Sequence, residues 1–290
     1  MQLAPSELIL NKDGSIYHLN LLPQDLAPIV ITVGDPDRVE RVTRHFDTIT
    51  VTKHKREFKT QTGTYGGKAI TVISTGIGTD NIDIVLNELD ALVNIDFNTR
   101  KIKEQLKTLQ IIRLGTSGAI QPEIDVDSIL LSKMAIGFDS LLHFYDSKAI
   151  LNTAIQNAFI KHSNWAAEKS HPYVIDADAQ LLAHFKEKNY HTGFTATNVG
   201  FYAPQGRILR GKLNDPDLNE KITSFTHHGL QITNLEMETS GIYGLAKLLG
   251  HQAISINAIL ANRTTGAFSK NGDKTVDFMI KMALERIKSL

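Results

Sequence analysis

The sequence predicts an α/β protein. Short β-branched or apolar runs alternate with stretches of helical period along all 290 residues. No linker, low-complexity tract or internal repeat divides the chain, and Pro and Gly are scattered through turns. The hydrophobic fraction of 42% is enough for one sizeable core. The expectation is therefore a single α/β domain over residues 1–290.

The elements follow in order. Ile29 to Val33 (IVITV) reads as a strand ending at Gly34, and Val39, Val42 and Phe46 then recur at helical spacing. Residues 48–76 read as a hairpin, two β-rich runs joined around Gly63, Gly66 and Gly67. From Asn81 a helix presents Ile82, Val85, Leu86 and Leu89 as one stripe. The runs QIIRLGTSG, SILLSKMAI, YHTGFTATNVG, GLQITNLEME and HQAISINAILAN read as strands, with a helix between the last two. A final amphipathic helix from Asp273 puts Phe278, Met282 and Ile287 on its apolar side. The polar segment 94–108 is an elaboration between a helix and a strand, and 214–229 is a helical excursion over a site.

Charge and composition remove several function classes. Lys+Arg and Asp+Glu are 31 each, so nothing in the net charge points to nucleic acid or an anionic membrane as a partner. Without cysteine there is no disulfide, thiol nucleophile or thiolate metal site. The first residues lack the basic and apolar regions of a signal peptide, and no apolar run would span a bilayer. The expectation is a cytoplasmic protein, for which the NRT sequon at Asn262 carries no meaning. GTYGGKA lacks the spacing of a phosphate-binding P-loop and reads as a turn.

Four stretches could carry chemistry. In VGDPDRVERV a strand turns into a helix through Gly34, Asp35 and Pro36, with Arg38 in the first helical turn. That suits an anion held by helix N-terminal amides, or it is a plain turn with a solvated arginine. In IIRLGTSGAIQP, Arg113 lies inside an apolar strand that runs into Gly115, Thr116, Ser117 and Gly118. A buried guanidinium needs a partner, so Arg113 serves a bound phosphate with Thr116 or a structural carboxylate. Phe201, Gln205 and Arg207 in FYAPQGR could stack on a flat heterocycle and grip its edge, or be ordinary loop. In NLEMETSGIY, Glu236 and Glu238 fall on one face of a strand with Met237 between them. Two such carboxylates serve acid/base work, grip vicinal hydroxyls, or divide between an arginine and a helix cap. Arg56, beside Glu57 in HKREF, reads as a strand residue whose neighbour faces the other way.

Taken in sequence, GDPDRVE, KREF, STGIG, RLGTSGAIQP, FYAPQGR, NLEMETSGIY and NRT resemble the nucleoside phosphorylase family over nearly the whole chain. The resemblance implies a three-layer α/β/α sandwich around a central mixed, partly barrel-like sheet. It implies reversible phosphorolysis of a nucleoside, with inorganic phosphate as co-substrate and no other cofactor. Gly34, Arg38, Arg113 and Thr116 would bind phosphate, reached also by Arg56 from a neighbouring subunit. Glu236, Met237 and Glu238 would hold ribose, with His18 of the neighbour at the 5′-hydroxyl. Phe201, Gln205 and Arg207 would hold the base.

Purine-cleaving members of the family carry an aspartate where this chain has Asn262, so the resemblance favours a pyrimidine, uridine. A purine phosphorylase, a hydrolytic nucleosidase and a non-catalytic nucleoside-binding protein are the alternatives. The phosphate arginines argue against the hydrolase, and the joint retention of cradle and clamp argues against the binder. Glu57, Ile77 and Asn81 match the family's place for a monovalent cation, K+, between subunits, although Asn81 replaces the usual serine. The implied assembly is a homo-oligomer, at least a dimer, with a trimer of dimers as the family's common form.

Overall fold

The computed structural model describes residues 2–290. The strands are β1 (Ile29–Val33), β2 (Thr48–Lys55), β3 (Phe58–Tyr65), β4 (Lys68–Ser74), β5 (Ile95–Asp96), β6 (Lys101–Ile102) and β7 (Gln110–Ala119). Then come β8 (Ile129–Gly137), β9 (Tyr173–Asp176), β10 (His191–Thr197), β11 (Thr226–His227), β12 (Leu230–Glu236), β13 (Gln252–Asn262) and β14 (Ala267–Phe268). The helices are α1 (Pro36–Thr43), α2 (Thr79–Asn94), α3 (Thr153–Ser163), α4 (Ala179–Phe185), α5 (Leu218–Thr223), α6 (Thr239–Leu248) and α7 (Gly272–Ile287). No helix of the described residues is long and apolar enough to cross a membrane.

One mixed sheet runs β11-β12-β10-β8-β13-β7-β1-β4-β3-β2, and an added pairing of β12 with β7 closes part of it on itself. The circuit β7–β13–β8–β10–β12 is thus a small barrel, with β1 to β4 extending from it as an open wing. This is the mixed, partly barrel-like sheet expected. β1 is buried at every residue because it lies between two parallel neighbours, β4 and β7, under helices on both faces. On one side α1 and α7 pack Val39, Val42, Met279 and Ile280 against Ile31 and Ile112. On the other, α2 and α6 bring Val85, Leu86, Ile242 and Tyr243 onto Val30 and Ile111. A third cluster under α3 and α5 joins Phe138, Phe159 and Phe194 beside the barrel.

Three sequence expectations change. Residues 48–76 form a three-stranded meander, with Gly63 inside β3 and turns at Arg56–Glu57 and Gly66–Gly67. Arg56 is therefore a turn residue, with a left-handed φ of 55°. The last helix buries Val276, Met279, Ile280, Ala283 and Leu284, leaving Phe278 exposed and Met282 partly buried. Of the expected apolar side only Ile287 is fully covered. Glu236 and Glu238 do not share a strand face: Glu236 ends β12 and Glu238 is the N-cap of α6. The segment 94–108 carries the small antiparallel β5–β6 ladder, and 214–229 is helical at α5 as expected.

Candidate active site

The site opens where the sheet splits. Strand β7 pairs with β1 as far as Arg113 and meets β12 only from Gly118. Between them Leu114 to Ser117 pair on one edge alone, with β13. The other edge faces a cavity of about 650 Å³, fed by the ends of β1, β4, β12 and β13. Ligands commonly bind outside the carboxyl ends of parallel strands, where main-chain amides lack partners.

One end of the cavity is cationic. Arg113 is buried; its Nη1 donates to Asn257 Oδ1 at 2.9 Å and Ser255 Oγ at 3.2 Å. Its Nη2 lies 2.6 Å from Glu238 Oε2 and 3.1 Å from Glu236 Oε2. Burial opposes its charge, but the two carboxylates outweigh burial and raise its pKa. Arg113 folds back over Gly115, where any Cβ would run into the guanidinium. Arg38 reaches the same place from α1 and donates to the Leu114 carbonyl at 3.3 Å, on the free edge of β7. Its Nε is buried without a hydrogen-bond partner among the described residues. Burial, then the like charge of Arg113, lowers the Arg38 pKa. Two guanidinium groups facing one cavity repel each other, and a bound anion would relieve both.

The carboxylates divide their work. Glu236 accepts from the Thr197 hydroxyl at 2.6 Å and from the amides of Glu238 and Thr239 at 2.9 Å each. It thus satisfies the first amides of α6, an N-terminal position that favours a negative charge. Glu238 holds Arg113 and accepts from the Gly78 amide at 3.0 Å. Burial raises its pKa, with Arg113 acting in the opposite direction. Both structural readings of the pair are therefore realised, and both residues line the cavity with Met237.

The far end carries the polar clamp. A short 3₁₀ turn at Ala203–Gln205 precedes Gly206, whose φ of 67° lets the chain reverse toward Arg207. Arg207 Nη1 donates to the Gln205 side-chain carbonyl and the Phe201 carbonyl, both at 2.6 Å. The guanidinium lies 3.8 Å from the centre of the Phe201 ring. Burial lowers its pKa, and Arg263 adds to that. Arg263 and Asn219 both donate to the Gln205 main-chain oxygen, at 3.1 and 3.0 Å. The clamp is pinned from α5 and from the turn after β13.

The cavity therefore gathers Gly34, Arg38, Arg113, Thr116, Phe201, Gln205, Arg207, Glu236, Met237 and Glu238, all read from sequence. His18 and Arg56 are not among its lining residues. They share another surface, both against Tyr17: ring centres of His18 and Tyr17 are 4.7 Å apart, and Arg56 lies 5.9 Å from the Tyr17 ring. His18 Nδ1 is also 2.6 Å from Glu88 Oε1. Asn262 is turned away and wholly engaged, donating to Gln121 and Ile124 and accepting from the Thr264 and Thr265 amides. Glu57 and Asn81 each lie close to Gly76, whose neighbour Ile77 lines the cavity. Asp35 of the expected anion turn lines the cavity too, and Leu260, Ala261 and Phe268, with Ser255 and Asn257 behind Arg113, are additions to the sequence reading. Ser255 and Asn257 were legible as alternate polar residues in the apolar run AISINAIL.

A partial barrel whose one cavity is lined by two arginines, two glutamates and an amide–guanidinium pair is the architecture of a group-transfer enzyme. The chain belongs to the phosphorylase superfamily, whose family model matches residues 28–290. It is 30% identical to the uridine phosphorylase of Thermococcus kodakarensis over 284 residues, covering 94% of this chain and 87% of that protein. It is 29% identical to the uridine phosphorylase of Haemophilus influenzae over 262 residues, covering 87% and 88%. Its fold matches the crystal structure of a Trypanosoma brucei nucleoside phosphorylase described as showing uridine phosphorylase activity, with a TM-score of 0.87 and 29% identity. That match covers 98% of this chain and all of the other.

Proposed function

We propose that the protein catalyses the reversible phosphorolysis of uridine to uracil and ribose 1-phosphate. The carrying observation is one cavity with Arg38 and Arg113 at one end, Gln205 and Arg207 at the other, and Glu238 lining it with them. Phosphate would lie on the free edge of β7, against Arg38, Arg113, the Gly34 turn and the Thr116 hydroxyl. Glu238 would take the 2′- and 3′-hydroxyls, with Met237 against the sugar. A phosphate oxygen would bond to C1′ as the C1′–N1 bond breaks through an oxocarbenium-like ribosyl group. The base would leave as an anion stabilised at its carbonyls by Gln205 and Arg207, and take its proton from solvent. Glu236, with its oxygens committed to Thr197 and α6, would hold Arg113 in place and tune the ribose end.

His18 and Arg56 support a second reading within this one. They lie together on one surface and away from the chain's own cavity, as expected if a partner subunit delivers them to its neighbour. We infer at least a homodimer on that ground, and one domain, because the sheet draws strands from both ends of the chain. A cytoplasmic setting fits the phosphate and nucleoside substrates. For K+, a single chain brings near Gly76 the Glu57 carboxylate side chain and the Asn81 side-chain amide. Hard cations commonly take about six oxygens or more, so one chain makes at best half a site.

The test measures free base released from uridine, inosine and thymidine, each with and without phosphate. Uracil released from uridine only with phosphate, and inosine left intact, is the expected result. Release without phosphate would make the protein a hydrolase, and cleavage of inosine would overturn the base assignment.

A further inference from the structure

Behind the cavity the small barrel encloses a chain of polar side chains. A circuit of five strands leaves little internal space, which suits short hydroxyl and amide groups. Asn257, Ser132, Thr195 and Asn234 are all fully buried, and none of them lines the cavity. They are hydrogen-bonded in series. Arg113 Nη1 donates to Asn257 Oδ1 at 2.9 Å, and Asn257 Nδ2 donates to Ser132 Oγ at 3.1 Å. The Ser132 hydroxyl lies 2.5 Å from Thr195 Oγ1, which donates to Asn234 Oδ1 at 2.9 Å. Asn234 Nδ2 donates to Ser117 Oγ at 2.7 Å, and Ser117 to the Leu235 carbonyl at 2.9 Å. From Arg113 to Ser117 these side chains stand on β7, β13, β8, β10, β12 and again β7, so the series crosses every barrel strand in turn and returns to the first.

Both ends of the series have fixed polarity. A guanidinium only donates and a carbonyl only accepts, so every bond between them points the same way. Thr195 gives its proton to Asn234, whose oxygen also accepts from the Thr233 hydroxyl at 2.8 Å. Ser132 therefore donates to Thr195 and is left to accept from Asn257. That acceptor selects the NH2 side of the Asn257 amide and turns its oxygen to Arg113, with Ser255 Oγ a weaker acceptor at 3.3 Å on the same side. A reversed amide would set an NH2 group against the guanidinium, donor against donor. Aligned bonds in a dry interior strengthen one another, and a broken link leaves a buried group unpaired.

We propose that Asn257, Ser132, Thr195 and Asn234 are positioning residues, whose one-way hydrogen-bond chain orients Arg113 from inside the barrel and ties its seat to barrel closure. The inference rests on the proposed function, in which Arg113 holds phosphate. Thr195 is the discriminating position, because it stands in mid-chain and outside the cavity. Thr195→Val keeps the branched shape and removes the hydroxyl, whereas Thr195→Ser keeps the hydroxyl and removes a methyl. Steady-state kinetics of both variants, varying phosphate and uridine separately, are set beside thermal unfolding. Thr195→Val should raise the KM for phosphate about fivefold, the worth of one neutral hydrogen bond, with little change in the KM for uridine. Thr195→Ser should keep the phosphate KM normal although lost packing lowers its melting temperature. Asn257→Ala removes the acceptor of Arg113 itself and should raise the phosphate KM about tenfold or more. A phosphate KM unchanged in Thr195→Val, or raised equally in Thr195→Ser, would reduce the chain to packing and overturn the assignment. If the unaltered protein cleaves no uridine, the proposed function fails instead. Calorimetric titration with inorganic phosphate then decides the chain by itself: weaker binding by Thr195→Val than by Thr195→Ser supports it, and equal or absent binding refutes it.

Discussion

Arg113 Nη2 and Glu238 Oε2 lie 2.6 Å apart, and this contact joins the arginine proposed to hold phosphate to the carboxylate proposed to hold the sugar. Both residues are buried and neither is fully committed. Arg113 can turn N–H groups to a phosphate, and Glu238 can accept from hydroxyls, only if each remains partly held by the other. Binding at one end should therefore change the electrostatics of the other.

Glu238→Ala removes that link and leaves Arg113 with Glu236 alone. Loss of one partner from a buried ion pair costs about 3–5 kcal/mol, less here because a second carboxylate remains. The expected result is a folded protein with a lower melting temperature and uridine turnover reduced at least a hundredfold. Thermal unfolding and steady-state rates check it, and near-normal turnover would make the carboxylate structural only.

Arg207→Ala addresses the opposite end. Losing one preorganised donor to a developing oxyanion costs about 3–4 kcal/mol, roughly a hundredfold or more in rate. The variant should lose uridine turnover on that scale while phosphate affinity, measured by titration, stays the same. A parallel loss of phosphate binding would move Arg207 out of the base site.

Gly115→Ala tests the seat of Arg113. A Cβ there would collide with the guanidinium, since nothing wider than hydrogen fits beneath it. Overpacking of this kind costs about 1–3 kcal/mol, and the guanidinium must leave its bonds to Asn257 and Ser255. Phosphate affinity should fall at least tenfold, with a smaller effect on the binding of free uracil. Equal loss of both ligands in titration would point to general unfolding.

Asp139 gives a pH dependence. It is buried, accepts from Tyr173 at 2.8 Å and from the Leu141 amide at 2.8 Å, and has Ser240 Oγ at 3.2 Å. Burial raises its pKa, with these hydrogen bonds acting in the opposite direction. A carboxyl whose folded pKa lies above its unfolded value contributes stability at low pH, lost as pH rises through the folded pKa. Asp139→Asn should keep most of the contacts without that charge. Its melting temperature relative to the unaltered protein should therefore climb as pH rises from about 4 through the raised value. A difference independent of pH would show that Asp139 titrates normally.

Much of this site was legible because its residues break local patterns. Arg113 interrupts an apolar strand, and Glu236 and Glu238 stand at a strand-to-helix junction. Their mutual contact was not legible, since it joins residues 125 positions apart through barrel closure. The Arg56–Glu57 turn escaped because neither residue type signals a turn, and only backbone geometry reveals the left-handed φ. The last helix was misphased because Phe278 suggested a core position, whereas burial follows Val276, Met279, Ile280 and Ala283. Residues 138–190, with α3, α4 and β9, offered no chemistry to anchor a reading, and their packing follows from tertiary contacts such as Phe138 on Phe159.

Arg56 provides the last test, because the protein's assembly decides where it acts. It sits on the β2–β3 turn beside Tyr17 and outside its own cavity, whereas Arg38 lines that cavity. If Arg56 completes a neighbour's phosphate cradle, Arg38→Ala and Arg56→Ala are each nearly inactive alone. A mixed dimer then places an intact Arg38 opposite an intact Arg56 in one of its two sites. Random reassociation makes half the dimers mixed, so activity should recover to about a quarter of the unaltered level. Co-refolding equal amounts of the two variants and assaying phosphate-dependent uracil release measures this. Recovery would require Arg56 to act across an interface, whereas a mixture as inactive as its parents would confine Arg56 to its own chain.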